Sequence, residues 1–195
     1  IWESAATDPM VQAVEAAVRA GITVVSSAGN YGQNPTTGVV GYGGISSPGN
    51  APSAITVGAL ATRATVARAD DRIAAYSSRG PSWFDGFAKP DLVAPGHRIV
   101  ALADTTSTLY ANYPNFREVS PTSGVQDYLR LSGTSMAAPA VAGIVAAMQQ
   151  VNMELGYYTS PYAPRPALTP NTIKAILQYT ATAVHDDTGL AYDRM

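Results

Sequence analysis

An α/β fold is predicted on three observations: a helix that runs into a buried strand, further short apolar runs spaced down the chain, and one long helix without charge. The helix comes first. Asp8 caps the free amides of its first turn, and Pro9 fits the first helical position. Met10, Val11, Val14, Ala17 and Val18 recur at three- and four-residue spacing, and Gly21 supplies the stop. Residues 22–25 are a short run rich in β-branched side chains, the mark of a parallel strand covered on both faces. The small residues Ser26-Ser27-Ala28-Gly29-Asn30 follow it, and in α/β folds ligand chemistry gathers at such carboxyl ends of strands. Residues 54–59, 99–102 and 128–131 are further strands, and 89–96 holds only a short one, because Pro90 and Pro95 donate nothing to a ladder. Residues 31–50 and 104–127 are rich in Gly, Pro, Ser, Thr and Tyr and read as long surface loops, the usual carriers of binding function. From Ser135 to Val151 the chain is helical, with Pro139 in the first turn. There is no charge from Ser132 to Val151, so the helix is apolar or small nearly all round, which predicts a central, buried helix. Thr169-Pro170 caps a last amphipathic helix through Ile173, Ile176 and Leu177.

Composition narrows the function. The 195 residues suit one domain; 46% are hydrophobic and only 13% charged, against about 25% in ordinary globular chains. The 17 Gly and 14 Pro are scattered singly, so they mark turns and not a low-complexity tract. A net charge of −2 without a basic run argues against a nucleic-acid partner or an anionic membrane surface. No apolar stretch approaches the roughly 18 residues of a membrane span, and no signal peptide is read in the chain. The absence of Cys excludes disulfides, thiolate metal sites and a Cys nucleophile.

Ser135 sits where a strand turns into the uncharged helix. Free amides and the positive end of the helix dipole there suit an anionic tetrahedral intermediate. The same position suits an ordinary helix cap, and local chemistry leaves both readings open. The wording around it adds more. Ser132-Gly133-Thr134-Ser135-Met136-Ala137-Ala138-Pro139 resembles the nucleophile motif of the subtilisin-like serine proteases, and Val141-Ala142-Gly143 continues it; Ala140 stands where that family usually has His. Four more stretches agree in order: Ser27-Ala28-Gly29-Asn30 with the oxyanion loop, residues 47–59 with the strand and loop beside the specificity pocket, and Ser77-Ser78-Arg79-Gly80-Pro81 and residues 89–96 with two structural signatures.

The resemblance implies a doubly wound, mostly parallel sheet with helices on both faces. It implies a serine endopeptidase in which Ser135 attacks the scissile carbonyl. The Asn30 side-chain amide and the Ser135 backbone N–H then donate to the oxyanion; from the residues alone, Asn30 is a turn residue after Gly. Ser27, Ala28, Gly29, Ser46 and Thr134 become substrate-binding residues, with small pocket walls that admit a large apolar or aromatic side chain. Met136 flanks the nucleophile, where oxidation impairs an intact enzyme; otherwise it fills space. Polypeptide substrates and a secreted location follow from the resemblance too. No cofactor is required, although backbone carbonyls near Gly49, Ala51 and Ala54 can hold a weakly bound sodium or calcium ion in such proteins.

A serine nucleophile needs a base and an orienting acid. The family places both upstream of the oxyanion loop, and residues 1–29 contain neither motif. Asp187-Thr188-Gly189 spells the family's Asp motif but follows the last helix, where it reads as a turn. His97 reads as a surface loop residue, and His185 as capping or solvating the end of the last helix. Residues 1–195 are therefore expected to be the C-terminal portion of one such catalytic domain, truncated on its N-terminal side, cut at both ends and catalytically incompetent alone. An exposed sheet edge predicts self-association. Two other readings stand beside this one. An α/β-hydrolase would use Ser135, Glu154 and His185 in that order. A non-catalytic module would bind peptides without cleaving them. The related sedolisins fit less well, because their oxyanion donor is typically Asp.

Overall fold

The computed structural model describes residues 2–159, 166–186 and 189. Helix α1 (Pro9–Arg19) begins where the sequence predicts, with Asp8 Oδ1 accepting from the amides of Met10 (2.8 Å) and Val11 (3.4 Å). A hydrogen bond from the Ser47 side chain, opposed by burial and aided by those two amides, holds the Asp8 carboxyl below the ordinary carboxylate range. Val11 packs against Ala51 and Ala54.

Strand β1 (Val25–Ser27) pairs in parallel with β2 (Ile55–Ala61), register Val25 to Ile55. Strand β3 (Arg72–Ile73) pairs antiparallel with the end of β2, and β4 (Leu92–Pro95) pairs with β2 in parallel. Strand β2 is buried on both faces from Ile55 to Leu60, as its uninterrupted apolar and small composition requires. Ile55, Val57 and Ala59 share one core with Ala94, Ala137, Val141, Val145 and Ile173. The α/β architecture is thus as predicted, although Ile22 is exposed and β1 starts three residues later than its β-branched run.

Strand β5 (Ile99–Leu102) does not join this sheet. It pairs antiparallel with β7 (Tyr128–Leu131), which also pairs antiparallel with β6 (Arg117–Glu118). Val100 and Leu102 are exposed accordingly. Residues 104–127 are more ordered than a surface loop: they form α2 (Thr108–Asn112), a 3-10 turn at Pro114–Phe116 and β6, with the Arg117 guanidinium 4.2 Å over the buried Tyr110 ring.

Helix α3 (Thr134–Thr159) corrects a second expectation. Ala137, Val141 and Val145 are buried, but Ala140, Gly143, Ile144, Ala147 and Val151 are exposed. Four-residue spacing lays one stripe on the sheet, and among the described residues nothing covers the opposite face. Pro139 falls in the second turn, so the Ser135 carbonyl lacks its usual i+4 amide. Helix α4 (Pro170–Thr180) is capped by Thr169, which accepts from the Thr172 amide at 3.2 Å. Ile173 is buried, whereas Ile176 is exposed. His185 neither caps nor adjoins that helix end: its backbone bridges Arg72, and Asp186 is buried in an ion pair with Arg79 at 2.8 Å. Asp187 and Thr188 lie outside the described residues.

Candidate active site

Two segments distant in sequence meet at the carboxyl end of β1 and the first turn of α3. Gly133, ahead of the helix, has no side chain with which to cap it. Asn30 does so from 104 positions away: its Oδ1 accepts from the Thr134 amide at 3.0 Å and from Thr134 Oγ1 at 3.1 Å. Thr134 Oγ1 in turn accepts from the Gly29 amide at 3.2 Å. These bonds fix the orientation of the Asn30 amide. Its oxygen is engaged by Thr134, so Nδ2 projects the other way, 3.4 Å from where a Cβ on Gly133 would stand. Ser135 is the second helical residue, and its N–H has no intrahelical acceptor. Ser135 and Asn30 are exposed, while Thr134 is fully buried. A hydroxyl and two unengaged N–H donors therefore lie together at the positive end of a long helix.

The predicted pocket residues converge beside this pair. The Ser46 amide donates to Ala28 O at 3.1 Å, the Ser78 amide to Gly29 O at 2.9 Å, and the Gly44 amide to Arg79 O at 3.0 Å, so three segments run side by side. Gly29 has φ +106°, and a Cβ there would lie 2.8 Å from Ser78 Oγ and 2.9 Å from Ser46 Oγ. Ala28 is fully buried and offers only backbone; Ser27 and Ser46 are half-buried. Met136 Sδ sits 3.6 Å from the same position beside Gly133.

Three supporting residues went unassigned in the sequence or had a different role there. Thr134 orients Asn30 from inside the protein rather than lining a cleft. Ser78 Oγ accepts from the Tyr31 amide at 3.1 Å, bracing the chain next to Asn30. Tyr76 donates its hydroxyl to Gly96 O at 3.0 Å, and Gly96 O also accepts from the Gly133 amide at 2.9 Å. Burial raises the Tyr76 phenol above its ordinary range. Each lies within or next to a quoted stretch, but no residue pattern reveals which way a hydrogen bond runs.

Neither histidine is hydrogen-bonded to Ser135 among the described residues. The His97 ring packs 6.0 Å from that of Tyr76, and His185 lies against β3. Glu154 accepts from Gln150 at 2.8 Å. It stands 19 residues beyond Ser135 on the same helix, roughly 28 Å along the axis. The set Ser135, Glu154 and His185 is thus not assembled. An aromatic cleft of about 530 Å³ opens between Trp2, Tyr31, Tyr42, Trp83 and Phe84, next to the pocket loop but without Ser135 or Asn30.

The loop from Ser46 into β2 is held from below by charge. Asp91 is buried, with Lys89 Nζ at 2.7 Å from Oδ2 and Lys174 Nζ at 2.9 Å from Oδ1. Lys89 also donates to Ala54 O at 2.9 Å, and Lys174 to Ala54 O at 3.0 Å and Pro52 O at 2.8 Å. Burial pushes the Lys89 ammonium down to about 8, against the opposing pull of Asp91 and with a further push from Lys174.

Comparison with known proteins agrees with this geometry. The family model described as the subtilase family matches residues 2–193. The serine protease AprX of Bacillus subtilis is 40% identical over 171 residues, 88% of this chain and 33% of that protein. Pyrolysin of Pyrococcus furiosus is 34% identical over 212 residues, 97% of this chain and 13% of that protein. Among solved structures, a cold-adapted subtilisin-like serine proteinase superposes with a TM-score of 0.56 at 25% identity, covering 97% of this chain and 48% of that one. The patellamide maturation protease PatA shares the fold at a TM-score of 0.57 and 21% identity, covering 93% and 49%. The chain thus spans less than half the length of each of these relatives. Matched by that family model over residues 2–193, with residues 132–139 at the head of α3 and residues 27–30 at the end of β1, the chain belongs to the subtilase family of serine proteases.

Proposed function

We propose that Ser135 is the nucleophile of a peptide-bond hydrolase, that Asn30 Nδ2 and the Ser135 N–H form the oxyanion hole, and that Thr134 holds Asn30 in the donating orientation. The observation that carries this reading is the double hydrogen bond from Thr134 to Asn30 Oδ1. It leaves Nδ2 directed beside the serine, where charge develops when the carbonyl is attacked. Ser27, Gly29 and Ser46 bound the site that takes the side chain preceding the scissile bond, and Ala28 contributes its backbone.

Acyl transfer also needs a proton acceptor on Ser135, and among the described residues the His97 ring packs beside Tyr76 while His185 sits on the bridge to Arg72 at β3. We therefore read residues 1–195 by themselves as able to bind a peptide and stabilise an oxyanion but unable to activate the nucleophile. The uncovered face of α3, with Ile144 and Val151 exposed, supports self-association of residues 1–195. A dimer in analytical ultracentrifugation is expected; a clean monomer contradicts that part.

The test of the nucleophile is a peptidase assay with a fluorophosphonate probe on any form of the protein that cleaves peptides. The adduct should map to Ser135, and Ser135→Ala should abolish both adduct and cleavage. Cleavage that survives in Ser135→Ala overturns the reading.

A further inference from the structure

We propose that the carbonyl cluster of residues 49–54, where subtilisin-like proteins can hold a weakly bound metal ion, is closed to metal in this chain because the ammonium groups of Lys174 and Lys89 fill it. The donor set does not suit an ion. A carbonyl oxygen has two lone pairs, and both of those on Ala54 O are taken, one by each lysine. Pro52 O and Gly49 O each accept one bond, from Lys174 and from Thr56 Oγ1 at 2.7 Å, so the donor that is fully occupied is Ala54 O.

The Asp91 carboxylate beneath the cluster is spent as well, and Glu15 reaches the loop from the other side, accepting from the Ser53 amide at 2.8 Å. Asp91 Oδ2 receives Lys89 and the Thr56 amide (2.8 Å), while Oδ1 receives Lys174 and, at 3.4 Å, Gln178 Nε2. Both ammonium groups lie against Ala54 O, so a further cation approaching that oxygen meets two like charges at close range. Among the described residues no group of three or more His, Asp or Glu offers a ligand set instead.

Lys174 is thus a tethered cation and a positioning residue. It reaches from α4 across 120 positions to the loop that carries the pocket wall. Gly49 N donates to Ser46 O at 2.7 Å, so whatever holds residues 49–54 also holds Ser46. The Lys174 strut is covalently part of the chain, so chelators do not remove it. This inference does not depend on peptidase activity, and neither does its test.

Thermal unfolding of the wild type and of Lys174→Met is followed in calcium chloride, sodium chloride or choline chloride at one ionic strength, after dialysis against a chelator. The wild-type midpoint should be the same in all three salts. Lys174→Met should unfold about 5 °C lower in choline and recover at least half of that in calcium or sodium, because the vacated carbonyls and Asp91 then accept an ion. Where Lys174→Met does not fold in choline, its refolding in calcium or sodium alone is the same positive result. Lys174→Gln, which keeps a donor, should show a smaller loss and little recovery. A wild type stabilised by calcium as strongly as Lys174→Met, or a Lys174→Met variant with no response to either metal, overturns the inference.

Discussion

Two polar clusters flank the candidate pocket and hold their parts by different physics. At the head of α3, neutral groups do the work: Thr134 Oγ1, the Thr134 and Gly29 amides and Asn30 Oδ1 form a closed set of hydrogen bonds. Beneath the loop of residues 49–54, ammonium and carboxylate groups do it: Lys89, Asp91 and Lys174. The neutral set costs little to bury, and its value lies in direction, because it fixes which way the Asn30 amide points. The ionic set gives strong local attraction but carries a desolvation cost and responds to pH. Orientation of the Asn30 amide is thus left to groups that carry no charge, and anchoring of a loop to a charged set that includes Lys89, whose ammonium is pushed down to about 8.

Breaking the neutral set should show in turnover. Ser135→Ala removes the nucleophile and should take peptidase activity to background in any active form of the protein. Asn30→Ala removes one oxyanion donor and should lower kcat by about 10²–10³ with KM little changed, read by steady-state assay of a peptide amide. An unchanged kcat would mean that Nδ2 does not face the oxyanion.

Thr134→Val sharpens the contrast. It leaves the Gly29 amide without its acceptor and should cost about 1–3 kcal/mol in denaturant unfolding. It should also lower kcat several-fold through misorientation of Asn30. A stability loss with kcat intact would make Thr134 a purely structural residue.

The ionic set should instead show a pH signature. The Lys89 ammonium loses its proton at about 8 in the folded protein, below its ordinary value of 10.5, so between those values the unfolded chain binds more protons. Its contribution to stability therefore rises as pH increases from about 8 toward 10.5. Asp91 and Lys174 are the charges that face it. Denaturant unfolding at pH 7.5 and 9.5 should show this rise, and Lys89→Met should flatten it. An equal slope in both proteins would place the titration elsewhere.

The sequence was most readable where a structural task needs a particular residue within a few positions. Asp8-Pro9 had to start a helix, and Gly29 had to be small, because its φ and the approach of Ser46 and Ser78 leave no room for a side chain. The ordered motifs from Ser27 to Pro139 were readable for the same reason, and the structure brings the segments of Gly29, Ser46 and Ser78 side by side. It was least readable where the answer depends on a distant partner. Residues 99–102 look like any buried strand, but their pairing with β7 in a second sheet is decided by residues about thirty positions away. The absence of charge in α3 did not say how many of its faces would be covered. Nothing near Lys174 announces Asp91 or Ala54, and nothing near Asn30 announces that its oxygen caps α3.

The central claim is that these residues carry a nucleophile and an oxyanion hole but no base placed on Ser135. Its most direct test is the rate of fluorophosphonate labelling of residues 1–195 at neutral pH, read by intact mass and peptide mapping, alongside His97→Ala and His185→Ala. The account predicts slow labelling that neither substitution changes. Rapid labelling of Ser135 that disappears in either histidine variant would contradict it, because a base would then be acting from within the chain.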